Sequence, residues 1–135
     1  MIGILLLTHA PLGSAFIQAA AHVFRGVPER LEAIDVLADQ NIDDVLDLAR
    51  TATQRLNDGS GVLVITDVMG GTPSNCCRQI GEPSEVAVIA GLNLPMLLRA
   101  ITYRHDNLDV VVEMALAGAQ SGATRVDNRI RLGAP

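Results

Sequence analysis

The sequence predicts a doubly wound α/β fold: a mostly parallel sheet in strand order 2-1-3-4, a C-terminal edge strand, and helices on both faces. Three observations carry this. Continuous apolar runs such as Ile2–Leu7 and Gly61–Thr66 read as strands buried on both faces. They alternate with segments of helical period, as a parallel sheet with crossover helices requires. The last segment, Arg125–Leu132, instead alternates polar with mostly apolar residues, which suits an edge strand with one wet face or one packed on a partner subunit.

Taken in order, Ile2–Leu7 is the first strand. Gly13-Ser14 then supplies a helix start with Ser14 as N-cap, and the helix Ala15–Arg25 closes at Gly26, a residue suited to a left-handed turn. Leu31–Val36 is the second strand. Asn41 caps a helix whose apolar face is Ile42, Val45, Leu46, Ala49, Ala52 and Leu56, opposite a wet face of Asp43, Asp47, Arg50 and Gln54. Gly61–Thr66 and Glu85–Ala90 are the third and fourth strands. Between them Thr72-Pro73 pairs a hydroxyl cap with proline at the first helical position. Asn93-Leu94-Pro95 opens another helix, and Asn107–Gly122 is the last one.

At 135 residues the chain reads as one domain, 1–135, with no internal linker or repeat. Aromatic residues are only 2%, so the core is built from Leu, Ile, Val, Ala and Met. A net charge of −5 argues against a nucleic-acid binder or a protein held on an anionic membrane. All ten basic residues are arginines, which removes Schiff-base and Walker-type lysine chemistry. No apolar run approaches the roughly 18–20 residues of a membrane span, and the amino-terminal run has no basic leader. The only cysteines, Cys76 and Cys77, are adjacent; they read as small packing residues, and the expected compartment is the cytoplasm.

The chemistry concentrates at two strand tips. His9 ends the first strand and Asp67 follows the third, and in the order 2-1-3-4 these strands are neighbours, about 4.8 Å apart. A carboxylate that accepts from one ring nitrogen fixes the imidazole tautomer and leaves the other nitrogen as a nucleophile. Gly70 and Gly71 allow close backbone approach, Thr72 caps a helix start rich in free N–H groups, and Thr8 adds a second hydroxyl beside His9. This is a place to seat a phosphoryl group on a histidine. His22 reads as a solvated helix residue and His105 as part of a polar turn, and the three histidines lack metal-ligand spacing. Met69 reads equally as a lip on the pocket or as a core residue.

Thr8-His9, the strand end Ile34-Asp35, the run Asp67-x-x-Gly70-Gly71-Thr72-Pro73-x-Asn75 and the segment Val88–Leu97 together resemble the IIA component of the mannose-type sugar phosphotransferase system. The likeness spans essentially the whole chain. It implies a cytoplasmic phosphocarrier that takes a phosphoryl group from phosphorylated HPr onto His9 and passes it to a separate IIB protein. Asp67 would hydrogen-bond the histidine and Thr72 would lie near the phosphate. The resemblance also implies a homodimer, no metal, no nucleotide and no other cofactor. Two alternatives stand beside transport: a binding module switched by phosphorylation, and the phosphocarrier domain of a dihydroxyacetone kinase system. A receiver-like role for Asp67 fails for want of a lysine and an acidic cluster. Ala10-Pro11 stands where the family typically has glycine after the histidine, and Met69 where it often has tryptophan.

Overall fold

Side-chain alternation along the first strand builds the molecule. In the computed structural model, which describes residues 1–68, 79–82 and 84–127, β1 (Gly3–His9) lies inside the sheet. Ile2, Ile4 and Leu6 face one layer of helices, while Leu5 and Leu7 face the other. The strands β2 (Leu31–Val36), β3 (Val62–Thr66) and β4 (Val86–Ala90) complete a parallel sheet in the order β2-β1-β3-β4. Leu6 pairs with Ala33 on one side and with Ile65 on the other. The predicted order of these strands therefore holds.

On one face lie α1 (Leu12–Phe24), α3 (Leu94–Tyr103) and α4 (Leu108–Gly122), supplying Ala20, Met96, Leu97, Ala100, Val111 and Ala115 to the core. On the other, α2 (Ile42–Leu56) buries Val45, Leu46, Ala49, Ala52 and Leu56 against Leu5, Leu7, Val62 and Val64. Burial of each large aliphatic side chain contributes about 1.5–3 kcal/mol, so the sheet's two faces supply most of the cohesion. Asparagine opens three of these helices: Oδ1 of Asn41, Asn93 and Asn107 accepts from the N–H of Asp43 (2.7 Å), Met96 (2.9 Å) and Val110 (3.0 Å).

Several sequence expectations are corrected. The first helix begins at Leu12, not Ala15, and Ser14 is not its cap, because it already lies in the first turn. At its end Arg25 takes the left-handed conformation (φ 58°), and Gly26 follows with a positive φ of 157°, its N–H reaching the Ala21 carbonyl at 2.9 Å. Ile42 is 52% exposed, since it precedes the first turn that packs on the sheet. Residues 125–127 of the predicted C-terminal edge strand form no strand, and the remainder of that segment lies outside the described residues. The Thr72-Pro73 helix start and both cysteines also lie outside them. Among the described residues no helix is long and apolar enough to cross a membrane.

Candidate functional site

Parallel pairing brings every strand's carboxyl end to one edge of the sheet, where ligands of doubly wound folds are bound. The β1–β3 ladder ends at Leu7 and Thr66, so His9 and Asp67 both stand just beyond it. Although 58 positions separate them, His9 Nδ1 lies 2.8 Å from Asp67 Oδ2. The same oxygen accepts from the His9 backbone N–H at 3.1 Å, and Oδ1 accepts from the Val68 N–H at 3.0 Å. The carboxylate is thus held by the chain as well as by the ring. Its side chain is 10% exposed, whereas the imidazole is 52% exposed.

These contacts decide the chemistry. Burial pushes the Asp67 carboxyl up, but hydrogen bonds from the His9 ring, the His9 N–H and the Val68 N–H outweigh it, with a smaller charge attraction to His9, and hold the group below its ordinary 3.8. An ionised carboxylate only accepts, so the neutral ring takes the tautomer with its proton on Nδ1 and its lone pair on Nε2. The outcome is a half-exposed imidazole, oriented through Nδ1. Val68 follows Asp67, Leu37 follows Val36, the register partner of His9, and Leu12 stands three residues after His9; all three are exposed apolar side chains.

Thr8 is placed differently. Its side chain is buried, on the Ile4 and Leu6 side of β1, and its Oγ1 accepts from the Gly13 N–H at 2.8 Å. Adjacent residues of a strand face opposite ways, so Thr8 and His9 do not point into one pocket. Asp35, which pairs with Thr8 across β1–β2, accepts from the Ser14 N–H at 3.2 Å and from the Ser14 hydroxyl. The amino terminus of α1 is therefore occupied by protein groups. Ser14 and Asp35 were legible only as a cap and a strand end. The parity of Thr8 and Asp35 was the signal that both face the helix.

Gly70, Gly71, Thr72 and Met69 lie outside the described residues. His22 and His105 are exposed and distant from His9 in the fold, on α1's last turn and in the turn after α3. Among the described residues no three His, Cys, Asp or Glu side chains gather in a way that could hold a metal ion.

Comparison with known proteins gives a consistent picture. Residues 3–116 match the family model for EIIA-man, described as the PTS system fructose IIA component. The PTS system mannose-specific EIIAB component of Escherichia coli (strain K12) is 28% identical over 124 residues, 90% of this chain but only 38% of that relative's length. The sorbose-specific EIIA component of Lacticaseibacillus casei is 31% identical over 108 residues, covering 79% of this chain and 76% of that protein. A crystal structure of phosphotransferase system component EIIA from Streptococcus agalactiae superposes with a TM-score of 0.78 at 27% identity, covering 93% of this chain and 97% of that one.

Proposed function

This chain belongs to the EIIA-man family of phosphotransferase-system IIA components, and from that premise we propose that it is a phosphocarrier that holds a phosphoryl group on His9 Nε2. The observation that carries this reading is the 2.8 Å contact of Nδ1 with Asp67, which leaves the opposite nitrogen unprotonated on an exposed ring edge.

The donor is phosphorylated HPr. As its N–P bond breaks, the phosphorus is taken by the Nε2 lone pair, and the donor imidazole leaves with the electrons of the broken bond. His9 keeps its Nδ1 proton throughout. Its ring therefore becomes formally cationic, and Asp67 stabilises that charge. A separate IIB protein then removes the phosphoryl group by the reverse displacement. One histidine N–P bond is exchanged for another in the transfer from HPr, so that step is close to thermoneutral and needs neither metal nor nucleotide.

Positioning and oriented donors are the sources of rate. Gly70, Gly71 and Thr72 are proposed, on their sequence pattern, as the backbone and hydroxyl donors facing the phosphoryl oxygens. Thr8 is proposed to support the His9 loop from the buried side rather than to touch phosphate. The exposed Leu12, Leu37 and Val68 support docking of a protein partner around His9, because apolar contact excludes water from the transferring group. A homodimer acting in the cytoplasm completes the reading.

The test is incubation with phosphorylated HPr. Wild type should acquire an acid-labile phosphate whose ³¹P and ¹⁵N resonances mark Nε2, and His9→Ala should acquire none. Label retained by His9→Ala, or attached at Nδ1, overturns the assignment.

A further inference from the structure

We propose that Asp35 is a positioning residue for phosphoryl transfer: with Thr8 it clamps the amino terminus of α1 to the sheet and so sets the loop that presents His9. This rests on the reading of His9 as the phosphoryl acceptor.

The need for such a clamp follows from the local sequence. The residue preceding α1 is Pro11, which offers no side-chain acceptor, and the first intrahelical bond runs from the Ala15 N–H to the Pro11 carbonyl at 3.1 Å. The N–H groups of the first turn therefore need acceptors from elsewhere. Two neighbouring strands provide them. Thr8 Oγ1 takes the Gly13 N–H at 2.8 Å, and Asp35 takes both the Ser14 N–H at 3.2 Å and the Ser14 hydroxyl. Thr8 and Asp35 are register partners, so the two acceptors form one rigid platform. A carboxylate at a helix amino terminus is also favoured by the helix dipole.

The platform works only at close range. A Cβ on Gly13 would lie 2.9 Å from the Ala33 Cβ, 3.0 Å from Asp35 Oδ1 and 3.0 Å from Thr8 Oγ1, so glycine lets the helix end settle on it. The segment tied down at both ends is His9-Ala10-Pro11-Leu12. Its second anchor is the Ala10 N–H, which donates to the Val36 carbonyl at 3.0 Å, one residue beyond Asp35. Freed from Asp35, α1 would shift its first turn, and the His9 ring would lose its fixed approach to Asp67.

The experiment compares wild type, Asp35→Ala, Asp35→Asn and Ser14→Ala, using phosphorylated HPr as donor, well below each variant's melting temperature. For Asp35→Ala, kcat should fall about 10- to 100-fold with KM within about twofold, as expected for misplacement of a reacting group. Asp35→Asn, which keeps an oxygen for the Ser14 N–H, should recover most of kcat. Ser14→Ala, which keeps the backbone contact, should lose little. In unphosphorylated Asp35→Ala the His9 Nδ1 proton resonance should broaden or move, a change that lower stability alone would not produce. An unchanged kcat, or an unchanged Nδ1 resonance in folded Asp35→Ala, overturns the proposal. Absence of label on wild-type His9 would instead overturn the phosphocarrier reading, and the Nδ1 resonance would still decide the role of Asp35.

Discussion

At the tip of β1 two consecutive residues serve opposite sides of the sheet. His9 meets Asp67 at the exposed edge, while Thr8 is buried against α1. For Asp67 the pH dependence has a definite sign. Its folded value lies below 3.8 because the hydrogen bonds from His9 and Val68 outweigh the opposing effect of burial. The stability it contributes is therefore complete above the unfolded value and is lost as pH falls through the folded one. Denaturant midpoints followed from about pH 6 down to pH 2 should decline less steeply for Asp67→Asn than for wild type. At neutral pH the same variant should transfer phosphoryl groups roughly 100-fold more slowly, because an amide can donate to Nδ1 and hold the wrong tautomer; stopped-flow transfer from phosphorylated HPr measures this. Gly13→Ala should cost about 1–3 kcal/mol in chemical denaturation, as the added methyl meets Ala33, Asp35 and Thr8 together.

The elements differ in how their ends were legible. Asn41, Asn93 and Asn107 precede their helices in sequence and cap them in space, since a side-chain oxygen two or three residues before a free N–H is a local arrangement. The start of α1 was not legible, because its acceptors come from β1 and β2 rather than from the preceding residue. Asn93 does more than cap: its Nδ2 also donates to the Ala119 carbonyl of α4 at 3.1 Å. Asn93→Ala should therefore lose more than the ~1 kcal/mol of a simple cap, and Asn93→Ser, which restores only the cap oxygen, should recover part of it in thermal melts. Close helix packing continues at Gly122, where a Cβ would fall 2.4 Å from the Pro95 Cγ.

Across the whole molecule, Arg104 closes the end of the sheet opposite His9. It is 4% exposed, and its guanidinium donates to the carbonyls of Ile2 (2.9 and 3.1 Å), Arg30 (2.9 Å) and Glu29 (2.5 Å). Burial, reinforced by the nearby Arg30, lowers its pKa below the ordinary value of a guanidinium. Arg104→Met should cost roughly 2–4 kcal/mol in urea unfolding, because buried carbonyls lose their donors, with little change in transfer rate at a site on the opposite edge. Nothing local marked this residue: an arginine in a polar turn reads as solvated until the fold brings two distant chain segments, Ile2 and Glu29-Arg30, around it.

Hydrophobic period and local capping were enough to determine the four strands and most helix bodies, because strand burial and helix amphipathicity are properties of neighbouring residues, and the order 2-1-3-4 followed from right-handed crossovers in the usual doubly wound topology. Strand order in turn brought His9 towards Asp67. Tertiary structure alone decided which hydroxyls and carboxylates those tips would share. Thr8 went to Gly13, Asp35 to Ser14 and Arg104 to three backbone carbonyls, since each donor found its acceptor on a different element. A hydrogen bond between distant segments depends on how layers pack, and that information is spread over the whole chain rather than written at either partner.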